Sequence, residues 1–273
     1  MNNDCTILVA SCDKYADLLG PFIVLFRRYW VDCPFSVWLV TETDPKVSGF
    51  DRVIACGNGL NWAERERRAL KEVTTPYVMM LCDDYYLAEK VDNENVLRRL
   101  EQMKRLNAAN LRLIPNPKLT HANSCPASDG LMEYKKNTAY CIATQAGFWE
   151  LGFLRKLAEG KTSIWDFERY GSFEVGDESR PLLVTPTKEF PFLDAVHKGC
   201  WETWGVQCLK DNGIDYDFSK RGLPPFKTRL VEGLKALVFR LVPNNWIVRV
   251  QNAFNMGAKE THAGVHVLKT GVN

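Results

Sequence analysis

Two aspartates stand side by side at positions 83 and 84, directly after the apolar run Y-V-M-M-L-C and before Tyr85. Adjacent carboxylates at the end of a buried strand repel one another and lose hydration, which costs stability unless a cation compensates. A hard divalent ion, Mn²⁺ or Mg²⁺, does so and takes carboxylate and phosphate oxygens together. Bridging a diphosphate, it neutralises the charge that develops as a nucleotide leaves. The plain alternative is an exposed Asp-Asp turn whose charges are simply hydrated. A second acidic segment, S-I-W-D-F-E at 163–168, offers Asp166 and Glu168 as bases for an attacking hydroxyl. Trp165 and Phe167 give these carboxylates a partly apolar setting, and aromatic faces also suit sugar rings. Ser163-x-x-Asp166 equally fits a capping box at a helix start. A helix would turn the two acids to different sides, so that one of them faces an acceptor.

The elements that must position these groups follow from hydrophobic pattern. Thr6 to Ala10 reads as a strand from its length and β-branched content, Phe35 to Val40 as a second, Asp51 to Cys56 as a weaker third, and Tyr77 to Cys82 as the most hydrophobic of the four. Between them, Leu18 to Tyr29 and Asn61 to Glu72 carry apolar residues at helical spacing. Asp92 to Asn107 reads as a third helix and Leu111 to Ile114 as a further strand. Pro115 to Gly130 reads as a loop. Regular structure is expected to return at Tyr140 to Thr144 and in a helix around Phe148 to Glu159. Strands alternating with helices imply an α/β fold with a mostly parallel sheet covered on both faces. Ligands in such folds bind beyond the carboxyl ends of the strands. Ser11, Asp13, Thr41, Glu42, Asp83 and Asp84 all fall there.

The 273 residues suffice for one large domain with an appendage, and 46% hydrophobic and 25% charged residues is an ordinary globular composition. A formal net charge of +2 is too small to argue for nucleic acid as a partner. The first residues lack a basic segment followed by a long apolar stretch, and no run reaches the roughly 18–20 apolar residues of a spanning helix. Nine cysteines are scattered singly, with no C-x-x-C pair, and reduced thiols in a cytoplasmic protein is the simpler reading.

The ordered series S-C-D-K-Y, C-P-F-S-V-W-L-V-T-E, N-W-A-E-R and Y-V-M-M-L-C-D-D-Y-Y-L resembles GT-A-fold glycosyltransferases, over roughly residues 5 to 205. More narrowly, it resembles bacterial enzymes of capsule and lipopolysaccharide glycan assembly. The resemblance implies a hexosyltransferase-type enzyme with a nucleotide-sugar donor, a UDP-sugar being favoured, and a glycan acceptor that is free or lipid-linked. It places the metal and donor diphosphate at Asp83 and Asp84. Ser11, Asp13 and Tyr15 would line the nucleotide pocket, Glu42 would lie near the base or ribose, and Trp62 and Arg65 near the donor phosphates or sugar. It also implies an acidic base at Glu168 or Asp166 and an inverting displacement. The family's acidic–any–acidic spacing is replaced here by Asp83-Asp84-Tyr85, which leaves the number of direct metal ligands open. Each residue also has an ordinary role open to it. Asp13 could cap the next helix, Trp62 could be core, and Arg65 could pair with Glu64 or Glu66 on a solvated face. His197 could complete a metal site or lie on the surface.

Phe226 to Lys259 is basic, with apolar residues at near-helical spacing on either side of Pro243. Such a pair of helices can pack on the catalytic domain or lie peripherally on an anionic membrane. The expected organisation is a catalytic domain over 1–225 and a basic helical extension over 226–273. Two other functions share parts of the pattern. A sugar-phosphate nucleotidyltransferase has the same sheet and acidic site, but normally a Gly-rich loop after the first strand. A non-catalytic glycan-binding protein would use Trp165, Trp201 and Trp204 as stacking platforms.

Overall fold

The computed structural model describes residues 3–223. The expected extension over 226–273 lies outside them. The chain runs β1 (Cys5–Ala10), α1 (Leu19–Tyr29), β2 (Ser36–Thr41), β3 (Arg52–Ala55), α2 (Trp62–Glu72), β4 (Tyr77–Cys82), β5 (Tyr85–Leu87), α3 (Asn93–Arg105) and β6 (Asn110–Arg112). It continues through β7 (Ser124–Pro126), β8 (Met132–Tyr134), β9 (Gly147–Glu150), α4 (Leu151–Ala158), α5 (Ile164–Glu174) and β10 (Leu182–Val184). β11 (Phe192–Asp194), β12 (Val196–His197), β13 (Cys200–Trp201) and α6 (Thr203–Asp211) follow.

A nine-stranded sheet forms in the order β3-β2-β1-β4-β9-β6-β10-β8-β7. The first four strands are parallel, β9 runs against both β4 and β6, and β10 lies parallel to β6. The fold is therefore mixed α/β with a mostly parallel central sheet, and its first half has the Rossmann-like order 3-2-1-4. Side-chain alternation sorts the helices onto two faces. Ile7, Val9, Leu39, Met79 and Leu81 meet α1 and α3 on one face, while Leu8, Val40, Val78 and Met80 meet α2, α4 and α5 on the other. Burying each large aliphatic side chain contributes about 1.5–3 kcal/mol.

The four leading strands fall where the apolar runs are. Three expectations need correction. Pro115 to Gly130 is not wholly loop, since Ser124–Pro126 pairs with Met132–Tyr134 as β7 against β8. Phe148 to Glu150 is strand rather than helix, and α4 starts only at Leu151, where Glu150 accepts from the amides of Gly152 and Phe153. Tyr140 to Thr144 has no regular structure; its backbone is tied down by side chains, among them Ser172 and Arg112. β9 fits between its neighbours because residue 147 is glycine. A Cβ there would lie 2.6 Å from the Leu111 carbonyl oxygen and 2.9 Å from Arg112 Cα. Gly147→Ala is therefore expected to cost roughly 1–3 kcal/mol, read as a lower urea midpoint at unchanged m-value.

Candidate functional site

The order reversal between β1 and β4 is the topological switch point of the sheet, where ligands bind in open α/β folds. Ser11 follows β1 and Asp83 follows β4, and the Ser11 hydroxyl donates to Asp83 Oδ2 at 2.6 Å. The Asp83 amide donates to the Ala10 carbonyl at 3.2 Å, which continues the ladder by one residue. Asp83 is buried and Asp84 half-buried, and neither forms an ion pair with a described residue. Burial pushes the Asp83 carboxyl up to about 7 against the opposing Ser11 hydrogen bond. Asp84 is raised well above the ordinary carboxylate range, by burial and then by the charges of Asp83 and Asp194.

Alongside lies a wall built by the ends of β1 and β2 and the start of α2. Asp13 was open to a role as a helix cap. Instead it accepts from the Thr43 amide at 3.0 Å, the Thr43 hydroxyl at 2.9 Å and the Thr41 hydroxyl at 3.3 Å. These donors, the Thr43 amide foremost, hold its carboxyl below the ordinary value. Glu42 accepts from the Asp13 amide and from Arg65 Nη1, the latter at 2.7 Å. Arg65 is buried and pairs with Glu42, not with its helical neighbours Glu64 or Glu66. Glu64 is occupied in a capping box with Asn61, which fixes the first turn of α2. Trp62 is half-buried and packs edge-on against Phe167 at 5.5 Å, with its indole nitrogen buried and unpartnered.

Glu66 is buried on α2 with Oε2 unpartnered, and burial raises its carboxyl to about 7. Its folded value lies above its unfolded one, so its contribution to stability is full below about pH 4 and lost as pH rises through 7. The stability difference between Glu66→Gln and wild type should accordingly shift in the variant's favour by roughly 2–3 kcal/mol from pH 5 to pH 8, measured by urea titration at each pH.

Tyr15 lies in the short 3₁₀ helix Asp13–Leu18, with the Arg221 guanidinium 4.4 Å over its ring. Arg221 is buried and doubly bonded to Asp17 at 2.6 and 2.8 Å, and it also donates to the Lys14 carbonyl. Tyr216 donates to the same Asp17 carboxylate. The Arg221 charge opposes the upward shifts of both Asp83 and Asp84.

Of the two candidate bases, Asp166 forms the capping box with Ser163 and also accepts from the Thr162 hydroxyl. Glu168 is buried, and its Oε1 accepts from the Thr144 amide at 2.8 Å and the Thr144 hydroxyl at 2.7 Å. Its charge is felt by Cys82 and Tyr85, which flank the aspartate pair. His197 is exposed. A residue not singled out in the sequence also reaches the site. Asp194 pairs with Tyr85 in the antiparallel β5–β11 ladder, and the next amide, of Ala195, donates to the Asp84 carbonyl at 2.8 Å. The only sequence signal for Asp194 is an acidic residue ending the short apolar run F-P-F-L.

No family model matches the chain, and no curated protein matches it. Among solved structures it is similar to residues 1–349 of S. aureus TarS at 11% identity and TM-score 0.42, with 66% of this chain and 60% of that one covered. The chain thus spans less than two thirds of that structure. It is also similar to a cytidylyltransferase from Leptospira borgpetersenii serovar Hardjo-bovis, at 11% identity and TM-score 0.41, over 77% of this chain and 95% of the other. A third likeness, to the bifunctional IspDF of Campylobacter jejuni, has 13% identity and TM-score 0.34 over 60% and 44%. These likenesses are remote, and the chemistry rests on this chain's own residues.

The donor set at the strand end fits a hard divalent cation in part. Two adjacent carboxylates lack a compensating ion pair, which suits Mg²⁺ or Mn²⁺. Among the described residues no group of three or more His, Cys, Asp and Glu side chains is gathered to hold a metal. The remaining ligands of such an ion would then be phosphate and water oxygens, as is usual for Mg²⁺. All nine cysteines are free thiols. No helix among the described residues is long and apolar enough to cross a membrane.

Proposed function

We propose that the chain is a glycosyltransferase that moves a sugar from a nucleotide-sugar donor to a hydroxyl of a glycan acceptor. The observation that carries this reading is the Asp83–Asp84 pair at the switch point, where the only side-chain hydrogen bond to a described residue is from Ser11 and neither carboxylate has an ion-pair partner among the described residues. Asp83 and Asp84 would hold Mn²⁺ or Mg²⁺ against the donor diphosphate. A divalent ion there supplies charge neutralisation for the departing nucleoside diphosphate. The wall of Asp13, Glu42 and Arg65 is internally bonded, so it enters the reaction already ordered and suits a nucleoside. Glu168 takes the acceptor proton through Oε2 while Thr144 fixes Oε1, and the acceptor oxygen then displaces the diphosphate with inversion. Asp166 serves the start of α5. A lipid-linked acceptor and membrane contact belong to the reading of residues 226–273.

The test is a thermal-shift panel of UDP-, GDP-, CMP- and dTDP-sugars with and without Mn²⁺. Binding raises apparent stability by mass action. The expected result is a metal-dependent rise with one nucleotide family, absent in Asp84→Ala. Pyrophosphate release from a nucleoside triphosphate and a sugar phosphate would instead identify a nucleotidyltransferase. No rise with any nucleotide sugar, in folded protein, would overturn the transferase reading.

A further inference from the structure

Three tryptophans were open to a role as sugar platforms, and they differ sharply in accessibility. Trp201 is fully buried, edge-on to Tyr216 and Phe218, and serves the core. Trp165 and Trp204 are exposed by 58% and 53%. Of these, Trp204 is fixed: its indole N–H donates to the Asp194 carbonyl at 2.7 Å. The anchor uses the polar edge of the ring and leaves a large part of the indole in solvent.

Trp204 is also held next to the acidic pair. The first turn of α6 sits hard against Ala195, because residue 205 is glycine. A Cβ there would lie 2.6 Å from the Ala195 carbonyl oxygen and 2.9 Å from its Cα. The Glu202 amide donates to that same carbonyl at 2.9 Å, and the Ala195 amide donates to the Asp84 carbonyl. Two backbone hydrogen bonds and one glycine contact therefore lead from Asp84 to α6. Asp194 and His197 are exposed and Glu202 half-buried, and the charges of Lys188, His197 and Glu202 are all felt by the Asp194 carboxyl.

A pinned, exposed indole anchored on the Asp194 backbone suits one ligand chemistry above others. The face of an aromatic ring is electron-rich, and the axial C–H groups of a pyranose present a weakly positive apolar patch to it. The hydroxyls around the sugar's rim then reach the neighbouring carboxylates. We infer that Trp204 is the stacking platform of a pyranose-binding subsite beside Asp84 and Asp194. Under the transferase reading, on which this part rests, the sugar it holds is the terminal residue of the acceptor.

The test uses protein labelled with 5-fluorotryptophan, with the Trp204 fluorine resonance assigned from Trp204→Phe. The probes are the methyl β-pyranosides of glucose, galactose and N-acetylglucosamine, with sorbitol as an acyclic polyol of similar size. The expected result is a saturable shift of the Trp204 resonance by at least one pyranoside in the millimolar range. Trp165 should stay put, and sorbitol should have no effect. No shift by any pyranoside up to about 100 mM, or equal shifts at Trp165 and with sorbitol, would overturn the platform. The outcome separates from the donor test. Pyranosides moving Trp204 in a protein that binds no nucleotide sugar would leave the platform standing and remove the transferase. Donor binding with an unresponsive Trp204 would do the reverse.

Discussion

Asp84→Ala is expected to lower turnover about 10³-fold and to abolish the response of donor affinity to Mn²⁺. The size follows from what the residue faces. Its carboxylate has no cationic partner among the described residues, and the charges of Asp83 and Asp194 stand close to it. On the proposed reading, its removal would take away half of the protein ligands that the cation would have at the strand end. Steady-state rates across a Mn²⁺ titration would measure this, and a variant retaining metal-stimulated turnover would remove Asp84 from the site. The same pair sets a pH dependence with a definite sign. The Asp83 carboxyl is pushed up to about 7 in the folded chain, above its ordinary unfolded value. Its contribution to stability is therefore full below about pH 4 and lost as pH rises through 7. Metal-free wild type should thus lose stability relative to Asp83→Asn between pH 5 and pH 8. Mn²⁺ should restore it at pH 8 and do little at pH 5, where the ion competes with protons.

Glu168→Gln should lower kcat by roughly 10²–10⁴-fold while leaving donor affinity and the melting temperature near those of wild type. Glutamine keeps an oxygen to accept from Thr144, so the two hydrogen bonds of 2.7 and 2.8 Å can persist and only the proton acceptor is lost. Asp166→Asn serves as the comparison. Asp166 receives the Ser163 amide and gives its own amide to the Ser163 hydroxyl, so the cost there falls on the start of α5. A rate loss confined to Asp166→Asn would reverse the two assignments.

What was legible in the residues is what local pattern controls. β1, β2 and β4 are short apolar runs ending in polar residues, and their carboxyl ends bring together Ser11, Thr41 and Asp83 as the alternation implies. The start of α2 is written in Asn61-x-x-Glu64. Long-range pairing was hidden. Phe148 and Trp149 precede an apolar helical pattern and read as its first turn, yet they pair with Met79, Val78, Leu111 and Asn110 from distant segments. Arg65 has two glutamates within reach on its own helix, and it is burial against the β2 end that selects Glu42 instead. Asp194 ends a three-residue strand too short for any period to show, and only the pairing with β5 carries it to Asp84. Trp201 and Trp204 lie three apart, and nothing local tells the core ring from the exposed one.

The bond from Arg221 to Asp17 joins residues 204 positions apart, and the Tyr216 bond to the same carboxylate spans 199. On a ribosome, the strands that carry Ser11 and Asp83 emerge and can pair long before either partner of Asp17 has been synthesised. A nascent chain can therefore bring Ser11 and Asp83 together before the clamp behind Tyr15 exists, and the Tyr15 side of the candidate site is the last part to mature.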